Sequence, residues 1–174
     1  MSAADVVVEQ EIISSKSLIK VAARNCGVIQ AQAEGITHEQ SLMQPPMRGN
    51  CMNWVVGHIV QSRDRMLRVA GLPMVWTPEQ IARYERDSAP ILDGHDALPF
   101  EKMLADLAVQ NERLIARLQT ISRDELDAVG VEAIKGITTW TVAEWLQFLL
   151  WHETYHLGNL EILRQLAGKN DKVI

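Results

Sequence analysis

Two histidines in the C-terminal part of the chain have the spacing of metal ligands on a helix. His152 and His156 are four residues apart, and side chains with that spacing share one helix face. A pair supplies only two nitrogens, whereas open zinc sites usually take three protein ligands and keep a position for water or substrate. The pair therefore predicts a third ligand from elsewhere in the chain.

The third candidate is His58, because it lies on the apolar stripe of an earlier predicted helix. Steps of three and four along that stripe give Cys51, Val55, His58, Ser62, Met66 and Val69. Three imidazoles in a mostly apolar interior cannot all be protonated, whereas one d-block cation would satisfy all of them. Isolated core histidines, each bonded to a carbonyl or a water, are the alternative. We predict a divalent metal, zinc or nickel, held by His58, His152 and His156.

Glu153 completes the pattern H-E-x-x-H of zinc peptidases. One peptidase group continues with x-x-G-x-x-H, but here the glycine, Gly158, is one place early and no third histidine follows. Another group takes a glutamate from a later helix, but only 18 residues follow His156. The peptidase interpretation is therefore disfavoured. Glu153 stays a candidate catalytic base, although its rotation of about 100° from His152 also allows a hydrogen bond to a neighbouring helix or exposure to solvent.

Four predicted helices must position these residues in an all-α, four-helix bundle with long connections. They run from about Asp5 to Ala33, from Asn50 to about Ala70, from Pro99 to about Thr120 and from Thr141 to near Gly168. Asn50 is a suitable N-cap for the second helix, and Thr141 with Glu144 forms a capping box for the last. The charged run Arg63 to Arg65 is interpreted as a solvated face with local ion pairs, and the alternative is that one of its arginines holds a substrate carboxylate.

Proline and glycine gather in the connections between these helices. Short helices are predicted over Thr77 to Arg86 and Ser122 to Leu126, and a small hairpin or irregular crossing over Val129 to Thr139. His38 and His95 fall in predicted loops. Asn111, in the apolar stripe of the third helix, requires a polar partner if it is buried.

Composition places the chain among ordinary globular proteins and predicts one domain over residues 1–174. The chain has 174 residues, of which 47% are hydrophobic and 22% charged, and a formal net charge of −5. That charge gives no reason to expect a nucleic-acid partner. The acidic N-terminus does not resemble a signal peptide, no apolar run is long enough to cross a membrane, and Cys26 and Cys51 lack disulfide-framework spacing. We expect a cytoplasmic protein.

Two stretches resemble the DinB-like (DinB/YfiT) superfamily of small four-helix metal-binding proteins. NCMNWVVGHIVQSRDRMLR, from Asn50 to Arg68, is similar to the second helix of that family, and WHETYHLGNLEILRQLAG is similar to its last helix. The family pattern of one histidine on helix two and His-x-x-x-His on helix four corresponds to His58, His152 and His156. This chain has Gly158-Asn159 where the family often has Gly-Gln.

The resemblance implies a metal-dependent enzyme that uses a low-molecular-weight thiol, such as bacillithiol, mycothiol or glutathione, in S-transfer or isomerisation of a small-molecule substrate. The alternatives are a non-catalytic metal-binding or stress-associated protein and a metal-dependent hydrolase with Glu153 as base. Apolar positions on the first and last helices exceed what one inward stripe needs, which predicts a homodimer.

Overall fold

The computed structural model describes residues 13–92, 94–131 and 139–173. Seven helices lie in this part of the chain: α1 Ser15–Ala33, α2 His38–Ser41, α3 Met52–Val69, α4 Pro78–Arg83, α5 Phe100–Thr120, α6 Arg123–Asp127 and α7 Val142–Leu166. The one β-bridge among the described residues joins Val129 to Thr141. The predicted all-α fold is confirmed. The predicted start of the first helix at Asp5, and most of the predicted crossing between Val129 and Thr139, lie outside the described residues.

The four long helices α1, α3, α5 and α7 form the bundle. Helices α1 and α3 each pack against both α5 and α7, so α1 and α3 occupy opposite corners. The metal-ligand candidates lie on the adjacent helices α3 and α7. None of the helices among the described residues is long and apolar enough to cross a membrane.

Side-chain caps fix where several helices begin. The predicted capping box of α7 is confirmed, since Thr141 accepts from the Glu144 amide while the Glu144 carboxylate accepts from the Thr141 amide. Equivalent boxes begin α4 at Thr77 and α6 at Ser122. These reciprocal bonds satisfy amides that have no partner within the helix. Helix α7, which carries two histidines, therefore has a defined first turn.

Two local predictions were wrong. Cys51, not Asn50, is the N-cap residue of α3, and no side chain caps that end. His38 lies in the short helix α2 and not in a loop, because Thr37 and Gln40 form a capping box there. The loop was predicted because of the prolines at 45 and 46, but α2 ends before these two positions.

Helix α3 is the central helix of the fold, because 16 of its residues are buried and only Arg65 and Arg68 are not. The irregular connection after it covers the side that the other long helices leave open. Asp64 accepts hydrogen bonds from the amides of Val75 (2.7 Å) and Trp76 (2.8 Å), which ties this connection to α3. The predicted solvated face was therefore wrong for Arg63 and Asp64, whose side chains are both fully buried.

The apolar core is divided into two clusters with a polar layer between them. One cluster holds residues 52–60 of α3 and 157–163 of α7, and the other holds residues 66–69 of α3 and 142–150 of α7. The polar residues between them on each helix include Arg63, Asn111 and Glu153. The predicted ligands therefore lie on helices that also share this polar layer.

Candidate metal centre

The three predicted histidines meet at one point between α3 and α7. The Nε2 atom of His152 lies 3.4 Å from Nε2 of His58 and 3.1 Å from Nε2 of His156. One nitrogen of each of the three rings lies within 4.8 Å of those of the other two. Among the described residues, no other group of three or more histidine, cysteine or acidic side chains could hold a metal.

The nitrogen spacing fits a bound cation. Two imidazole nitrogens that bind one zinc tetrahedrally at about 2.0–2.1 Å lie about 3.3–3.4 Å apart. The separations of 3.4 and 3.1 Å around His152 are close to that value. Without a cation, a neutral ring has only one N–H to donate, so several of these nitrogen lone pairs would face each other. The donor set therefore suits a divalent metal that binds imidazole, and His58, His152 and His156 would hold it.

His58 is held in a defined orientation. Its Nδ1 lies 2.7 Å from the carbonyl oxygen of Tyr84, so Nδ1 carries the proton and donates, which leaves the Nε2 lone pair directed at the other histidines. Its ring stacks on Trp54 with a centroid distance of 4.9 Å. Gly57 permits the approach of Tyr84, because a Cβ atom at that position would lie 2.1 Å from the tyrosine ring. This buried partner of a ligand is the arrangement that typically fixes the tautomer of a metal-binding histidine.

Burial keeps the three histidines neutral. Desolvation lowers the pKa of His58, although the hydrogen bond to the Tyr84 carbonyl opposes this shift. Desolvation and the neighbouring histidines lower the pKa of His152 to about 4 and that of His156 to about 3. Neutral imidazole is the form that binds metal. At neutral pH the three imidazole rings can therefore bind a cation without first losing a proton.

The two ring nitrogens of His156 have different surroundings, since Nε2 faces His152 and Nδ1 does not. Its Nδ1 is buried without a hydrogen-bond partner among the described residues, and its ring lies edge-on to Tyr155. A buried polar atom without a partner is unusual and requires an explanation. A cation at Nε2 would leave Nδ1 without a partner, so this atom does not bear on the metal site.

Glu153 does not face the histidines. Its two carboxylate oxygens accept from Nε and Nη2 of Arg63, at 2.5 and 2.8 Å, and both side chains are fully buried. The remaining Arg63 donors bond to Asn111 Oδ1 at 3.0 Å and to the Ala22 carbonyl at 2.9 Å. Of the two orientations considered for Glu153, the structure shows the hydrogen bond to a neighbouring helix. Asn111 also has the polar partner that its position required.

Two cavities reach the histidine cluster. One of about 520 Å³ is lined by His58, and the other of about 630 Å³ is lined by His156. Arg86 lines both. A small molecule can therefore approach the cluster from either side of Arg86. Closed structural metal sites lack such access.

The other candidate residues lie apart from this site. His38 Nδ1 accepts from the Phe100 amide at 3.3 Å, and His95 is exposed. Cys26 and Cys51 are buried free thiols, and burial raises the pKa of Cys26. Neither cysteine is therefore part of the metal-ligand group.

Three tryptophans on α3 and α7 differ in their exposure to solvent. Trp54 and Trp145 are buried, at 7% and 0% exposure. Trp151 is 61% exposed and Tyr155 66% exposed, one helical turn apart on α7. These exposed rings belong to the last helix, which together with the first helix carries the surplus aromatic and apolar positions on which the homodimer prediction depends. That prediction stays untested.

Sequence reasoning missed three residues that organise the site. Tyr84 orients His58, Gly57 makes room for Tyr84, and Arg63 holds Glu153. The signal for Gly57 was present, since a glycine inside a helix next to a candidate ligand is costly unless something packs closely there. The signal for Arg63 was weaker, because a single buried charge cannot be recognised without its partner.

The sequence model of the DinB superfamily matches residues 27–160, which contain all three histidines. No curated protein sequence matches the chain significantly. The matched segment covers most of the chain, from the middle of α1 to the second half of α7. The expected resemblance is thus confirmed, and the chain belongs to the DinB superfamily.

Proposed function

We propose that the protein is a divalent-metal-binding enzyme of the thiol-dependent S-transferase type, with zinc or nickel held by His58, His152 and His156. One observation carries the proposal. Three neutral imidazoles converge without a fourth histidine, cysteine or acidic ligand among the described residues, and two cavities reach them. Three protein ligands with access to solvent are typical of catalytic metal sites.

His58, His152 and His156 would hold the divalent cation, whose positive charge would lower the pKa of a bound thiol and favour the thiolate. The reaction class would be attack of the thiolate sulfur on an electrophilic carbon of the small-molecule substrate, with cleavage of the bond from that carbon to a halide or an epoxide oxygen, which keeps the electron pair. The residues of the chain prepare this step. Tyr84 holds the proton of His58 on Nδ1, and the buried surroundings keep the other two rings unprotonated.

Hydrolysis with Glu153 as base has less support, because Arg63 occupies both oxygens of that carboxylate. A non-catalytic metal-binding protein is the second candidate. Its supporting observation is that the ligands come from α3 and α7, which the buried Arg63–Glu153 pair also joins. A cation shared by the same two helices would strengthen that contact whether or not it acts on a substrate.

The experiment begins with metal content. We expect protein purified without added metal, then loaded with zinc or nickel and desalted, to retain about one ion per chain. The variants His58→Ala and His156→Ala should lose it, because two imidazoles bind a cation much more weakly than three. His95→Ala is the matched control, since His95 is exposed and outside the cluster. An ion content unchanged in His58→Ala would refute the site.

Activity is then measured as loss of free thiol with a panel of alkyl halides and epoxides. Glutathione, bacillithiol and mycothiol are each tested with loaded and metal-free wild type. Consumption of at least one thiol that requires the metal and is abolished in His58→Ala supports the enzyme. If all thiols are consumed equally with and without protein while the ion is bound, the non-catalytic alternative holds.

A further inference from the structure

Exposed apolar side chains surround the cavity of about 630 Å³ that reaches His156. Met47, Tyr155 and Ile162 line it, and each of the three is more than half exposed. Met47 lies in the connection between α2 and α3, whereas Tyr155 and Ile162 lie on α7. Single exposed apolar residues are common on protein surfaces, but several from separate segments around one cavity indicate a binding site.

The inner wall of this cavity is apolar as well. Trp54, Val55 and Leu163 line it, and all three side chains are buried. Among the described residues, the charged and amide side chains that line it are Asn50, Asn159, Arg48 and Arg86. A mostly apolar wall with a few polar groups is the usual lining of a small-molecule site.

The apolar lining begins beside a proposed metal ligand. The ring of Tyr155 lies edge-on to that of His156, with 5.4 Å between the ring centroids, and His156 itself lines the cavity. Tyr155 and Ile162 are seven residues apart, so they lie on one face of α7 and about 10 Å apart along its axis. A molecule in the cavity can thus extend from the histidine cluster to Ile162.

A transfer reaction brings two molecules together, and two cavities reach the histidines. The cavity of about 520 Å³ at His58 is a separate approach to the cluster, so a thiol and an electrophile need not compete for one approach. Glutathione, bacillithiol and mycothiol are polar molecules, whose amide, carboxylate and sugar groups gain nothing from an apolar wall. The apolar cavity at His156 therefore suits the other reactant.

We propose that this cavity binds the apolar body of the electrophilic substrate, with the reacting carbon directed at the three histidines. The inference rests on the proposed function and narrows it: the substrate is an epoxide or alkyl halide that carries an aromatic ring or an alkyl chain. The thiolate sulfur bonds to the carbon, and the carbon–oxygen or carbon–halogen bond breaks. The oxygen or halide keeps the electron pair, and an epoxide oxygen then takes a proton from water. Met47, Tyr155 and Ile162 are thus specificity-determining residues.

Calorimetry tests binding apart from catalysis. The probe is 3-phenoxypropane-1,2-diol, which has a phenyl ring but no reactive group, and glycerol is the matched probe without the ring. Each is titrated into the metal-free protein. We expect the phenoxy diol to bind and glycerol not to bind. The binding should have a negative heat capacity change, because apolar surface is buried.

Kinetics test the same preference in the zinc-loaded protein. Phenyl glycidyl ether and glycidol present the same terminal epoxide carbon, and only the ether carries a ring. Each is supplied with glutathione, bacillithiol and mycothiol in turn. Relative to the uncatalysed rates, we expect kcat/KM for the ether to exceed that for glycidol by roughly 10- to 100-fold, as burial of an aromatic ring predicts.

Two double variants locate the effect. Met47→Ala/Ile162→Ala should weaken binding of the phenoxy diol roughly tenfold and reduce the preference for the ether by a similar factor. Both side chains are exposed, so the variant should keep its fold. Met43→Ala/Val109→Ala is the matched control, because these two apolar residues are also exposed and line neither cavity.

The outcomes separate this inference from the proposed function. Absence of phenoxy diol binding, equal efficiency with the two epoxides, or the same loss in the control variant would overturn the apolar site, while metal-dependent thiol consumption would still support the enzyme. A dimer that Met47→Ala/Ile162→Ala converts to a monomer in sedimentation would also overturn it, because these side chains would then contact a second copy. If no thiol is consumed, but the phenoxy diol binds and requires Met47 and Ile162, the apolar site is supported and the transferase function fails.

Discussion

Glu153 lies one residue after a proposed metal ligand, yet its environment is that of a structural ion pair. Both oxygens accept from Arg63, and neither side chain is exposed. A buried charge that loses its partner is strongly destabilising, whereas the intact pair contributes little net stability. Because Arg63 also bonds to α5 and to the backbone of α1, the pair fixes where α7 lies relative to the other helices.

We therefore expect Glu153→Gln to lower the free energy of unfolding by about 3 kcal/mol, because it leaves the Arg63 charge uncompensated. Urea denaturation measures this. Glu161→Gln is the control on the same helix, since Glu161 is exposed, and it should change stability by no more than about 0.5 kcal/mol. A Glu153→Gln protein with wild-type stability but no activity would instead identify the carboxylate as a catalytic base.

At the scale of elements, the orientation of His58, the proposed ligand on α3, depends on a segment outside the four long helices. The connection after α3 brings the Tyr84 carbonyl to His58, and the Tyr84 hydroxyl bonds to Asn53 Oδ1 at 3.0 Å and accepts from the Leu98 amide at 2.7 Å. Gly57 allows the ring to lie flat against the helix. The contact between this connection and α3 thus determines which way one ligand points.

Gly57→Ala tests this contact. The added methyl group would displace the Tyr84 ring, and we expect a loss of about 1–3 kcal/mol in stability and a 10- to 100-fold loss in metal affinity. The matched control is Gly158→Ala on α7, where a Cβ meets no atom within 4 Å. Replacement of a glycine inside a helix by alanine should stabilise that variant by up to about 1 kcal/mol. Denaturation and competition with a chelator measure both effects, and equal metal affinity in the two variants would contradict the role of Tyr84.

The sequence predicted the long helices and the three histidines because both follow from a period of 3.6 residues. His58, His152 and His156 are at inward positions on regular helices. Counting in steps of three and four along the sequence was therefore sufficient to identify them. Arg63 and Asp64 were misassigned for a physical reason. Periodicity shows which face of a helix is apolar. It cannot show that Arg63 finds polar partners inside the bundle, in Glu153 and Asn111, or that an irregular connection covers Asp64. Tyr84 also lies in an irregular connection. It makes its contact through the backbone carbonyl, which every residue type has, so the sequence could not indicate this contact.

At the scale of the whole molecule, the histidine cluster makes stability depend on pH. An unfolded histidine binds a proton below a pH of about 6.5, whereas His152 in the folded protein does so only near pH 4 and His156 only near pH 3. Between these values the unfolded chain holds more protons than the folded one. The free energy of unfolding of metal-free protein should therefore be highest above pH 6.5 and decrease as the pH falls towards 4.

We expect a loss on the order of 2 kcal/mol between pH 7 and pH 5, which is below the sum for two fully buried rings because both rings are partly exposed and water screens the effect. Urea denaturation with a chelator present measures it. His152→Gln/His156→Gln should show a flatter dependence, since glutamine does not titrate, while exposed ion pairs such as Arg117–Glu125 remain in both proteins. The same decrease in the double variant would show that other groups cause it. Bound metal would add stability at neutral pH, by about 2.7 kcal/mol at a free concentration of 100 times its Kd, and acid would remove that gain as protons displace the cation.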